Sequence, residues 1–193
     1  MPGTGGLRYP PNIRWTGILQ FKLGSQYEVI EEGLSARTTT IDDDKRYGRN
    51  GKTFLPICLE SHLPLDVVIL NLGTNDLKER YHRSLTQVQQ GIEELLKTIQ
   101  QIAFDSQQKP SHIILLSPPR VDESAPGVES NYKGAEILSK QFGPLYKSLS
   151  EKYQTDFLDL AAIISPSKKD GLHLDPDAHA KIAEALYTLI LKI

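Results

Sequence analysis

The 193 residues predict an α/β domain in which a parallel sheet is covered by helices on both faces. Near-continuous apolar runs at 67–72 and 112–116 read as strands buried on both sides. Segments of helical periodicity separate the strand positions, and that alternation calls for crossover connections. Glycine or polar residues follow the strands, so small and hydrogen-bonding groups collect on one rim of the sheet, where open α/β sheets hold ligands. With 39% hydrophobic and 24% charged residues, the composition suits a single globular domain over 1–193.

Residues 1–11 are rich in Gly and Pro and read as a loop. Asn12 is placed to cap a helix that turns Trp15, Ile18, Leu19 and Leu23 inward and ends at Gly24. Residues 27–30 form a short strand running toward Gly33. Asp42-Asp43-Asp44, beside Lys45, Arg46 and Arg49, reads as a solvated loop rather than a hard-cation site. A helix at 54–62 carries Pro56 in its first turn and leads into the central strand at 67–72. That strand ends in Gly73-Thr74-Asn75-Asp76, where Gly73 permits a tight turn and Asn75 offers an amide donor. By itself this stretch also reads as a strand and a plain turn.

Ser84 and Gln87 have capping-box spacing, and Leu85, Val88, Ile92, Leu95, Leu96, Ile99 and Ile102 share one helical face. The strand at 112–116 is closed by Ser117-Pro118-Pro119, and a long loop follows to Asn131. Residues 132–153 are mostly helical, with Ile137, Leu138, Phe142, Leu145 and Leu149 inward and a break at Gly143-Pro144. A last strand at 156–160 precedes a helix that opens at Pro176, capped by Asp175, with Ile182, Leu186 and Leu189 inward.

The formal charge of -2 arises from 22 basic and 24 acidic residues without single-sign blocks, which argues against nucleic-acid and membrane-surface partners. The single cysteine, Cys58, excludes an internal disulfide and a multi-cysteine zinc site, and its apolar neighbours suit a small core residue. No apolar run approaches the roughly 20 residues needed to span a bilayer, and the first residues do not form a signal peptide. A cytoplasmic protein is expected. Gly-x-Gly-x-x-Gly, P-loop and Gly-x-Ser-x-Gly motifs are absent. Asp170 and His173, three apart before the last helix, can form a carboxylate-oriented general base; they can equally be a turn residue and an exposed loop histidine. His62, His82, His112 and His179 read as structural or surface residues.

Gly33, the block Gly73-Thr74-Asn75-Asp76, and Asp170-x-x-His173 resemble three of the four sequence blocks of the SGNH, or GDSL-type, hydrolases. Arg14-Trp15-Thr16-Gly17, the run from Val29 through Gly33 to Thr39, and Leu63-Pro64-Leu65-Asp66 resemble the arylesterase and acyltransferase branch of that family. The resemblance implies a flavodoxin-like three-layer α/β/α sandwich and a serine esterase acting on small-molecule esters. His173 would be the general base, Asp170 its orienting carboxylate, and the Gly33 N–H and Asn75 amide an oxyanion hole. It implies no metal or organic cofactor, and it is compatible with a homo-oligomer.

The family's nucleophilic serine belongs to a Gly-Asp-Ser block after the first strand, and neither that block nor that strand is among these residues. The expectation is an N-terminally incomplete SGNH-hydrolase-like domain that is inactive as written. In a 2-1-3-4-5 sheet the missing strand would separate those at 27–30 and 67–72. Ser35 and Ser117 approach the rim, but neither occupies the nucleophile's place. The alternatives are a non-catalytic descendant that binds an acylated or carbohydrate ligand in the same pocket, and a generic doubly wound small-ligand domain.

Overall fold

Strand β2 (His112–Ser117) forms the middle of a three-stranded parallel sheet, between β1 (Val67–Leu70) and β3 (Asp156–Asp159). The computed structural model describes residues 7–107 and 110–193. Ile113 and Leu115 of β2 point into one core, and Ile114 and Leu116 into the other, as the two-residue period of a strand requires. The first core is closed by α2 (Gly51–His62), α3 (Leu85–Gln107) and α6 (Phe142–Tyr153). The second is closed by α1 (Trp15–Leu23) and α7 (Pro176–Ile190), which pack against each other. Two short helices, α4 (Glu129–Tyr132) and α5 (Ala135–Ser139), cross between β2 and α6. This is the α/β architecture the sequence predicts, with helical layers on both faces of a parallel sheet. No helix among the described residues is long and apolar enough to cross a membrane.

The most periodic helix behaves as read. In α3, Val88, Ile92, Leu95, Leu96 and Ile99 are buried, and Ser84 and Gln87 exchange capping-box hydrogen bonds at 2.9 and 3.3 Å. Elsewhere local signals lose to tertiary contacts. Arg14, not Asn12, precedes α1, because the carbonyl of Pro10 accepts from both Ile13 and Arg14 and turns the chain there. Arg14 is fixed by a two-pronged pair with Glu31 at 2.8 and 2.9 Å. Helix α2 begins earlier than expected and places Pro56 in its interior. Asn50 caps it, and the carbonyls of Thr38 and Thr39 hold its first two N–H groups.

The break expected at Gly143-Pro144 falls at 140–141 instead. Gly143 and Pro144 open α6, where the proline's missing N–H costs no helical bond. The interruption shifts the helical phase, so Ile137 is exposed while Leu138 packs inward. Residues 27–30 are extended but are not part of the sheet; Val29 donates its N–H to Gln20 instead. Among the described strands β1 is therefore an edge rather than the centre. The acidic run is not solvated throughout, since Asp43 is buried against Arg80 at 2.6 Å. Cys58 is only half-buried.

Candidate active site

The carboxyl end of β1 is shaped by what packs beneath it. The Leu72 carbonyl accepts a 2.6 Å hydrogen bond from the hydroxyl of Tyr146, a fully buried residue of α6. Gly73 follows at φ 124°, and a Cβ there would overlap the Tyr146 hydroxyl, so both conformation and space require glycine. The next residues make a single turn of 3-10 helix over Thr74–Leu77. Asp76 anchors that turn from inside. Its carboxylate accepts from the Thr39 N–H at 2.9 Å, from the Thr39 hydroxyl, and from Arg83 at 3.0 Å. Burial pushes the Asp76 carboxyl up, against the opposing pull of Thr39 and Arg83.

Asn75 is thereby presented at the rim. Its Oδ1 accepts a 3.0 Å bond from the hydroxyl of Tyr132, at the end of α4. That bond orients the amide, and among the described residues no hydrogen bond uses its Nδ2.

Asp170 and His173 lie in a loop closed on itself, in which the Ser167 N–H donates to the His173 carbonyl at 2.7 Å and the Gly171 N–H to the Ser167 carbonyl at 2.8 Å. Asp170 Oδ2 is 2.9 Å from His173 Nδ1, while Oδ1 accepts from the N–H groups of Leu172 and His173 at 3.2 and 3.0 Å. Burial alone would raise the Asp170 carboxyl, but the bonds from the His173 backbone and ring and the Leu172 N–H hold it below the ordinary carboxylate value. The imidazole is 56% exposed and therefore open to a substrate. Its Nε2 has no hydrogen-bond partner among the described residues.

A short path of contacts joins the two halves. The Gly171 carbonyl accepts from the Asp122 N–H at 2.9 Å, and Gly171, at φ 62°, packs too tightly on Asp122 and Val128 to admit a Cβ. The Val128 carbonyl starts the turn that carries Tyr132, and Tyr132 holds Asn75. Gly33 stands apart from this path. It is exposed at the end of the extended segment, its carbonyl held by the Arg8 guanidinium, and no hydrogen bond among the described residues uses its N–H or joins it to Asn75 or His173.

Ser117 is completely buried and its hydroxyl has no partner among the described residues, so it cannot meet a substrate from solvent. Ser35 is exposed and belongs to the loop that Arg49 pins at 2.9 Å. Of the other histidines, His112 pairs with Asp156, His62 with Glu32, and His179 accepts the Trp15 N–H at 3.3 Å. Tyr132, Tyr146 and Asp76 are the residues that sequence reasoning missed. Tyr146 was within reach, four residues after Phe142 on the inward face of α6, whereas nothing local connects Tyr132 with Asn75.

The profile of the GDSL-like Lipase/Acylhydrolase family matches residues 3–181. The chain belongs to that family. This GDSL-like chain is also similar to solved SGNH hydrolases along nearly its full length. Est24, a carbohydrate acetylesterase from Sinorhizobium meliloti, is 35% identical with a TM-score of 0.91, over 100% of this chain and 92% of that one. The native aryl esterase of M. smegmatis is 34% identical with a TM-score of 0.92, over 99% and 90%. A carbohydrate acetylesterase family member from Sinorhizobium meliloti is 30% identical with a TM-score of 0.90, over 96% and 89%. These likenesses agree with the flavodoxin-like sandwich. A comparison with curated proteins gives no match.

Proposed function

We propose that the chain supplies the base and the oxyanion donors of an SGNH-type serine esterase that hydrolyses or transfers short acyl groups of small carboxylic esters, with aryl and sugar acetates as first substrates. The observation that carries this reading is the Asp170–His173 pair at 2.9 Å on a loop packed toward the oriented Asn75 amide. The acetylesterase and aryl esterase neighbours support the substrate class. The 193 residues hold no Gly-Asp-Ser block, and neither Ser35 nor Ser117 suits attack. We assign the nucleophile to such a block on a strand pairing with the open edge of β1; a chain carrying both is termed the extended chain below.

In this reading His173 Nε2 takes the serine proton as the serine oxygen adds to the ester carbonyl. Asp170, ionised and bonded to Nδ1, stabilises the imidazolium. The Gly33 N–H and Asn75 Nδ2 receive the oxyanion, donors worth about 3 kcal/mol each in a transition state. His173 returns its proton to the leaving alcohol, and water or a second alcohol then takes the acyl group. No step calls on a metal or organic cofactor.

Hydrolysis of 4-nitrophenyl acetate by the 193-residue chain, the extended chain and its His173→Ala variant tests the proposal. Turnover is expected from the extended chain alone, with the other two lower by about 10³-fold or more. An extended chain inert toward every short aryl and alkyl ester refutes it. The missing block would then favour the second reading, a non-catalytic descendant that binds an acylated or carbohydrate ligand.

A further inference from the structure

Away from the rim, the donor atoms of Glu32, Cys58 and His62 lie within 4.8 Å of one another. Cys58 and His62 are four residues apart on α2 and share one face of the helix. Glu32 closes the extended segment before Gly33, and its Oε1 is 2.8 Å from His62 Nε2. Glu32 is exposed and the other two are half-buried, so an ion can enter from solvent without opening a core.

We infer that Glu32, Cys58 and His62 form a binding site for a divalent cation of the zinc class, with the remaining position left to solvent. One thiolate, one imidazole and one carboxylate select borderline-soft ions over calcium or magnesium, which prefer all-oxygen shells. A tetrahedral ion with bonds of about 2.0–2.3 Å holds its ligand atoms about 3.3–3.7 Å apart. Side-chain rotation therefore closes the site. Binding exchanges the Cys58 S–H bond for a sulfur–metal bond and releases one proton to solvent, while the ion replaces the Glu32–His62 hydrogen bond.

Arg37 supplies an independent observation. It is buried, lies 3.9 Å over the ring of Phe54 one helical turn before Cys58, and donates to the Glu32 carbonyl at 2.6 Å. Its Nε is buried without an acceptor among the described residues. The site uses none of the four residues assigned to ester chemistry, so it stands or falls separately.

Titration of the 193-residue protein with Co²⁺ as an optical probe, followed by Zn²⁺ competition, tests the assignment. One Co²⁺ per chain should give sulfur-to-cobalt charge transfer in the near ultraviolet and the visible bands of a tetrahedral site, both erased by Zn²⁺. Cys58→Ser should lose the near-ultraviolet band, and His62→Ala and Glu32→Gln should each weaken Zn²⁺ at least about tenfold. Without any substitution, equimolar Zn²⁺ should protect Cys58 from iodoacetamide. Absence of the sulfur band, equal Zn²⁺ affinity in all three folded variants, or thiol reactivity indifferent to Zn²⁺ would overturn the assignment.

Discussion

Asn75 illustrates how one side chain becomes useful only through another. Its amide can be offered as a donor because Tyr132 occupies its oxygen at 3.0 Å. In the extended chain, Asn75→Ala should lower kcat for 4-nitrophenyl acetate by about 100- to 1,000-fold with little change in KM. Tyr132→Phe, which removes only the orienting hydroxyl, should cost about five- to tenfold in kcat, in line with one hydrogen bond of ~1 kcal/mol. Equal losses in the two variants would contradict the positioning role. Asp170 titrates below the ordinary carboxylate value in the fold. Its contribution to stability is therefore complete above about pH 4, where an unfolded aspartate is ionised, and is lost as pH falls through the folded value. Asp170→Asn should flatten the acid limb of a denaturation-against-pH profile below about pH 4 and leave its neutral plateau sloped as before. The dyad was legible in the sequence because its members are three residues apart and interact locally. The partner of Asn75 was not, being 57 residues away with no shared period.

At the level of elements, the strand-end turn Thr74–Leu77 is tied to the chain before α2 by Asp76, which binds Thr39 and Arg83 without any exposed surface. Removing that carboxylate leaves Arg83 and the Thr39 N–H without their shared acceptor. Asp76→Ala should destabilise the fold by about 3 kcal/mol, read as a lower urea midpoint at unchanged slope. Asp76 looked like a turn residue because Asp is common in turns, and sequence alone does not distinguish a turn facing water from one facing the core. Helices were legible where one apolar stripe ran uninterrupted, as in α3. They were misplaced where capping came from distant backbone, as Thr38 and Thr39 do for α2. The exposed Ile137 has the same origin, since the gap between α5 and α6 resets the phase of the pattern.

Across the whole molecule, alternation of buried strands with amphipathic helices was enough to predict parallel pairing and two covering layers, because few topologies bury both faces of such strands. Residues 27–30 have the composition of a strand but no partner in the described sheet, and strand formation depends on a neighbour as much as on propensity. Amide exchange should therefore be slow throughout Ile113, Ile114, Leu115 and Leu116 of β2. In β1 the amides directed away from β2 should exchange faster, and become protected in the extended chain. Slow exchange on both edges of β1 in the 193-residue protein would contradict a strand docking there.

The central claim, a serine esterase whose base is His173 and whose nucleophile lies on an adjoining Gly-Asp-Ser strand, is tested most directly by intact-mass analysis after a fluorophosphonate probe. The probe requires both a nucleophile and a working base. The account predicts one adduct on the extended chain and none on the 193-residue chain or on the extended His173→Ala variant. An adduct on the 193-residue chain, or undiminished labelling without His173, would contradict it.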